Sequence, residues 1–218
     1  LIFNRDSMVT MPALGLGGKQ AGTFYGQLAL SHTYGSGLED SCENVRETVS
    51  NFLYGLYIDH YLAIHMDAIG ILNDAVGGVD VTIPENMTKF KADWVEGAQV
   101  HLSGQDALLF VQRRDTKLSG SNFGRVERQK QYLTKYADKL KQKIKSDITF
   151  PVTLLGQIQK HLVTSLQVDE ITYLADTLLG YDFSMDNIIS IPGESKMGEK
   201  HEEFYIDETA LKQIVIDV

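Results

Sequence analysis

The chain has 218 residues, 43% of them apolar and 22% charged. This is the balance of a globular protein about one domain long, not of a disordered tail. The net charge of −9 argues against general nucleic-acid binding, and the single cysteine, Cys42, excludes an internal disulfide framework or a cysteine-cluster zinc site.

Leu1–Phe3 reads as the end of a strand with no initiator Met before it. An upstream strand and a membrane anchor are therefore expected outside the chain; within it no run approaches the ~18 apolar residues of a span. Pro12 to Gly22 reads as a glycine-rich loop. Ser41 can cap a helix whose apolar positions Val45, Val49, Phe52 and Leu53 keep helical spacing. Tyr61–His65 predicts a strand. Asp67 then starts a helix through Ile71, Leu72 and Val76 that stops at Gly77-Gly78. Val79, Val81 and Ile83 alternate with polar residues, which predicts a half-buried strand ended by Pro84.

Ser103 is placed to cap a helix carrying Leu108, Leu109 and Val111, and Ser121 or Asn122 to cap a long helix from about Gly124 to Lys145. Val126, Leu133, Ala137, Leu140 and Ile144 would form its buried stripe. Pro151 and Asp169 open two more helices. Ile188–Ile191 and Phe204–Ile206 predict strands, and Asp207 caps a last helix. Strands alternating with helices, with no linker or repeat, predict a single α/β domain: a three-layer α/β/α sandwich around a central mixed sheet.

Charge is distributed unevenly. Residues 113–145 hold eleven of the twenty Lys and Arg and carry +8, which leaves −17 on the rest. Four of the six arginines, Arg113, Arg114, Arg125 and Arg128, fall within sixteen residues. A guanidinium fork suits phosphate oxygens, so this clustering points to a phosphate ligand, while the lysines at 130–145 read as a solvated face. Arg125, Arg128 and Gln129 stand at i, i+3 and i+4 in the first turns of the long helix, where free backbone amides already favour an anion. Arg113 and Arg114 end the helix before it. Together they could clamp a pyrophosphate.

Arg5-Asp6 follows a strand end, where an aspartate can ligate magnesium or take a proton from an attacking hydroxyl; an ordinary Arg–Asp turn pair is the alternative. Glu39-Asp40 and Glu85 read as cap or loop acids. His32, His60, His65 and His101 lack metal-ligand spacing and read as structural. Gly15, Gly17 and Gly18 make no dinucleotide fingerprint. Cys42 is expected in the core.

Four segments resemble one family. Asn4-Arg5-Asp6 resembles the Arg-Asp motif of the LytR-CpsA-Psr (LCP) family of bacterial cell-envelope proteins. Ala75-Val76-Gly77-Gly78-Val79-Asp80-Val81 is similar to its Gly-Gly-Val-Asp-Val segment, and Leu102-Ser103-Gly104-Gln105-Asp106-Ala107-Leu108 to its Leu-x-Gly-x-x-Ala-Leu helix start. Phe123-Gly124-Arg125-Val126-Glu127-Arg128-Gln129 matches its Gly-Arg-x-x-Arg-Gln signature. The four keep the family's order over some 125 residues.

The resemblance implies an extracytoplasmic enzyme held at the membrane surface by an amino-terminal anchor. It would bind a polyprenyl (pyro)phosphate with its tail in an apolar tunnel. Assisted by Mg2+, it would transfer the linked glycopolymer, a teichoic acid or capsular polysaccharide, onto peptidoglycan. On matching positions, Arg114, Arg125, Arg128 and Gln129 would hold the head group with Arg5 nearby, Arg113 standing in for a lost neighbour. Asp6 would serve the metal or the base, and no nucleic acid would be bound. The chain departs from the pattern at Gln112 and Asn122, where an arginine and an acid are expected, and at Gln27, where a base is expected. Those losses leave a second reading, a module that captures polyprenyl phosphate without catalysis. A third, transcriptional attenuation, lacks the basic surface and helix-turn-helix that DNA contact requires.

Overall fold

The computed structural model describes residues 1–15, 19–35, 37–113, 121–181, 184 and 188–217, those at 121–123 by backbone alone. In chain order the elements are β1 (Met8–Leu14), β2 (Gln20–Gln27), α1 (Leu38–Phe52), β3 (Leu62–Ile64), α2 (Ala68–Ala75), β4 (Val79–Thr82), β5 (Gln99–Leu102), α3 (Gly104–Gln112), α4 (Ser121–Ser146), α5 (Phe150–Ile158), β6 (Leu162–Thr164), α6 (Val168–Leu179), β7 (Gly193–Met197), β8 (Glu202–Ile206) and α7 (Glu208–Asp217). They form two compact units interleaved in sequence. Leu1–Ala63, Val163–Leu166 and Ile188–Val218 make the first; Ile64–Leu162 and Gln167–Asn187 make the second. Among the described residues no helix is long and apolar enough to cross a membrane.

In the first unit β1 pairs antiparallel with β2, and β7 with β8. A parallel bridge between Ser7, just before β1, and Phe204 of β8 links the two hairpins, and a second parallel bridge lies at Ile2–Ser190, so the pairing is mixed. The expected loop at Pro12–Gly22 is instead this first hairpin; Gly17 and Gly18 lie outside the described residues. Pro12 stands in β1 opposite Thr23, and its carbonyl accepts from Asn44 Nδ2 at 3.3 Å. Because the N and O of one strand residue point the same way, the missing N–H of Pro12 faces away from β2 and costs the ladder no bond. The expected Ile188–Ile191 strand shrinks to the Ser190 bridge, and the longer pairing moves to β7. Asp207 caps α7 as expected, its Oδ1 accepting from the N–H groups of Thr209 and Ala210.

The second unit packs around Val79, Val81, Ile83, Trp94, Leu102, Phe110 and Tyr132. The Trp94 indole meets Phe110 edge-on at 6.0 Å. In β4, Val79 and Val81 are buried while Asp80 is exposed, the alternation the sequence shows. Its partner β5 has only four residues and was not foreseen. On α4 the buried face is Arg128, Tyr132 and Ile144, with Tyr136 and Leu140 packed beside it. Leu133, expected inside, is exposed. The stacked rings of Tyr132 and Tyr136 fill that side, and the Tyr132 hydroxyl donates to Asn73 Oδ1 at 3.2 Å, so its polar tip is satisfied within the core. Ser103 does stand at the N-cap of α3, but the helix's first amide is taken by Asp74 Oδ1, 2.6 Å from Gly104 N.

Gly77 and Gly78, at φ +88° and +80°, turn the chain from α2 into β4. A Cβ on Gly78 would lie 2.2 Å from His101 Nε2 and 2.8 Å from the Leu102 carbonyl, whereas one on Gly77 would meet nothing. Gly78→Ala is expected to cost about 2–4 kcal/mol of stability through strain plus overlap, and Gly77→Ala about 1 kcal/mol through strain alone. Urea unfolding of the two variants checks this ordering; equal midpoints would count against the close approach of β5.

Candidate functional site

The last carbonyls of an α-helix have no partner within the helix. At the end of α3 those orphan acceptors are met by side chains from the first turns of α4. Arg128 Nε donates to the Phe110 carbonyl at 2.8 Å, Gln129 Nε2 donates to the Val111 carbonyl at 3.0 Å, and a second Arg128 nitrogen donates to the Arg113 carbonyl. The remaining Arg128 nitrogen is ion-paired with Glu85. Arg128 is 1% exposed. Its guanidinium thus closes the carboxyl end of α3, where the helix dipole favours a cation. Burial lowers its pKa, the Glu85 carboxylate opposes that fall, and the neighbouring Arg125 charge adds to it.

This geometry gives the Gly-Arg-x-x-Arg-Gln spacing a mechanical meaning. A Cβ on Gly124 would sit 2.8 Å from Glu85 Oε1, so glycine there lets the carboxylate reach Arg128. One turn on, Arg128 and Gln129 bolt α4 to α3. The two helices bring Arg113 and the half-buried Arg125 to the same junction, with the Arg113 side chain exposed. Arg114 and the side chain of Asn122 lie outside the described residues. Of the residues expected around a phosphate, then, Arg128 and Gln129 spend donors on the protein itself. Glu85, expected to be a mere loop acid, is the partner of Arg128. A buried arginine demands an acid, but nothing in the sequence pairs positions 85 and 128.

Arg5 and Asp6 belong to the first unit, in the turn between the Ile2 bridge and β1. Their backbone is pinned on both sides: the Arg5 carbonyl accepts from Ala29 N–H at 2.9 Å and the Asp6 carbonyl from Phe204 N–H at 2.9 Å. The Asp6 amide donates to Asn4 Oδ1 at 3.0 Å, closing the turn. Asp6 is mostly buried, and Arg5 Nε lies 3.6 Å from its Oδ1 with the Arg5 side chain 63% exposed. Gln27 Nε2 donates to the same Oδ1 at 3.4 Å and to the Glu202 carbonyl at 2.8 Å. The position where a basic residue was expected therefore does stand beside Asp6, holding its carboxylate with a neutral donor. Both contacts fall on Oδ1, and a single fixed carboxylate of this kind suits Mg2+, which commonly takes one or two carboxylates together with phosphate oxygens and water.

The first unit also holds a mostly apolar cavity of about 260 Å³, whose lining includes Cys42, Val45, Arg46, Val49, His60 and Leu62. Burial raises the Cys42 thiol, with the Glu43 and Glu39 charges adding to the rise. An un-ionised thiol is a poor nucleophile, as expected for a core cysteine.

The LytR_cpsA_psr family model matches residues 2–216. A Bacillus anthracis protein named polyisoprenyl-teichoic acid–peptidoglycan teichoic acid transferase TagU is 31% identical over 186 residues, covering 84% of this chain and 58% of that protein. The chain spans about half the length of the curated relatives it matches. Among solved structures, Bacillus subtilis TagV superposes with a TM-score of 0.70 at 24% identity, over 98% of this chain and 78% of that one. TagT bound to LI-WTA superposes with a TM-score of 0.70 at 20% identity, over 98% and 74%. These likenesses establish a shared mixed α/β fold.

Proposed function

Because the chain belongs to the LytR-CpsA-Psr family, we propose that it is an extracytoplasmic phosphotransferase that moves a glycopolymer from a polyprenyl-pyrophosphate carrier onto peptidoglycan. The observation that carries this reading is the α3–α4 junction. There the family signature builds a rigid frame from Arg128 and Gln129, and Arg113 and Arg125 flank it. A peptidoglycan hydroxyl would attack the phosphorus that carries the sugar. The new P–O bond forms to that hydroxyl, the P–O bond to the carrier breaks, and polyprenyl phosphate leaves. Arg113, Arg114 and Arg125 would offset charge on the transferring group. Asp6 is the acid assigned to a Mg2+ ion or to the hydroxyl proton, and Gln27 holds it in place. When bound, the ion would supply charge stabilisation to the phosphoryl oxygens.

The apolar cavity beside α1 supports the lipid part of the reading, since an apolar wall is what a segment of prenyl chain requires. The three-layer sandwich expected from the sequence belongs to the same proposal, and the mixed pairing of the first unit supports it. The membrane anchor and the placement outside the cytoplasm are parts of the same proposal. Mass spectrometry of lipid co-purifying with the chain is expected to find a polyprenyl phosphate. A chain that carries none, and takes none up from detergent, would overturn the assignment of the ligand. Uptake of the lipid without Mg2+-dependent transfer would support the binding-module reading in its place.

A further inference from the structure

We propose that His65, Asp67 and His161 form a binding site for one divalent transition-metal ion of the zinc class, separate from the chemistry assigned to Asp6. One donor atom from each of the three lies within 4.8 Å of the other two. All three belong to the second unit. His65 directly follows β3 and His161 directly precedes β6, and the His65 N–H donates to the His161 carbonyl at 2.8 Å. The backbone therefore fixes the two histidines opposite each other, with ring centroids 6.1 Å apart.

Asp67 supplies the third donor. It stands at the N-cap of α2, yet its carboxylate makes no capping bond; instead its Oδ2 lies 3.1 Å from His65 Nδ1. The Ala68 N–H donates to the His65 carbonyl at 2.9 Å, which closes the turn that brings the carboxylate back to the ring. A tetrahedral zinc ion with ligand bonds of about 2.0–2.2 Å needs donors roughly 3.3–3.6 Å apart. Side chains as exposed as those of His65 (66%) and Asp67 (65%) can close the remaining gap by small rotations.

The donor set selects the metal. Two imidazoles and one carboxylate suit zinc and its neighbours, whereas magnesium and calcium prefer all-oxygen shells. Three protein ligands leave a fourth position for water or an anion. The sequence hides the site because its histidines stand 96 positions apart and become neighbours only through the pairing of β3 with β6.

The test is calorimetric titration of Zn2+ into the tag-free, chelator-stripped chain, with thermal unfolding alongside. One high-affinity equivalent is expected, together with a raised midpoint in its presence. His65→Ala and His161→Ala should each weaken that binding by at least about tenfold, with the metal-free midpoint unchanged because the rings are not core. An excess of Mg2+ should not displace the zinc. Unchanged zinc binding in the His65→Ala/His161→Ala double variant, or displacement by Mg2+, would overturn the assignment.

Discussion

Arg128→Ala is expected to lower the unfolding free energy by about 3 kcal/mol, with a drop of roughly 6–12 °C in the melting midpoint. The guanidinium is the partner of the buried Phe110 carbonyl, of the part-buried Arg113 carbonyl and of the Glu85 carboxylate. Truncation strands both acceptors and opens a cavity beside Phe110, while Glu85, partly open to water, recovers part of its hydration. Arg128→Lys should recover less than half of the loss, because one ammonium cannot reproduce a planar fork that spans a helix end. Glu85→Ala should also destabilise, by leaving the buried charge unpaired, and a double-mutant cycle between 85 and 128 should show strong coupling. Chemical denaturation measures all four. An Arg128→Ala variant as stable as the parent would show that the α3–α4 bolt is not a structural element.

Arg125→Ala is expected to act mainly on transfer. It should reduce polymer transfer by about 10²–10³-fold, in keeping with the loss of one preorganised charge contact, and should lower the unfolding free energy by less than Arg128→Ala does. Asp6→Asn should match it in size and abolish any response to Mg2+, because the amide keeps the shape but not the charge. The assay is release of polyprenyl phosphate from a lipid-linked polymer in the presence of peptidoglycan. Full activity in Arg125→Ala would remove that side chain from the site. The contrast matters because the two arginines of one six-residue signature then do different work, one holding the frame and one facing the ligand. Loss of transfer in Arg128→Ala alone would not tell these roles apart; stability measured beside it does.

Much of this assignment rests on local rules. The helices starting near Asp67, Ser103, Pro151 and Asp207 stand where capping and periodicity put them, and β4 follows from strict alternation closed by Pro84. The four family segments are short and contiguous, so a linear reading finds them. The concentration of arginine between 113 and 128 is likewise visible without coordinates. Strands β1, β2, β5, β6 and β7 were not visible in this way. Their pairing comes from a neighbouring strand rather than from a pattern in their own residues. Pro12 misled for the same reason, since whether its missing N–H matters depends on which way that position faces in the ladder.

The side-chain roles divide along the same line. Residue type and spacing sufficed to place Arg125, Arg128 and Gln129 near one another on α4. Only tertiary packing decided that Arg128 points inward to the end of α3, that Glu85 answers it, that Gln27 braces Asp6, and that His65 meets His161. Helical and strand periods are properties of a few consecutive residues and can be read along the chain. The partner of a buried charge or of an exposed imidazole is selected by desolvation and close approach across long sequence separations, and these exist only once the chain has folded.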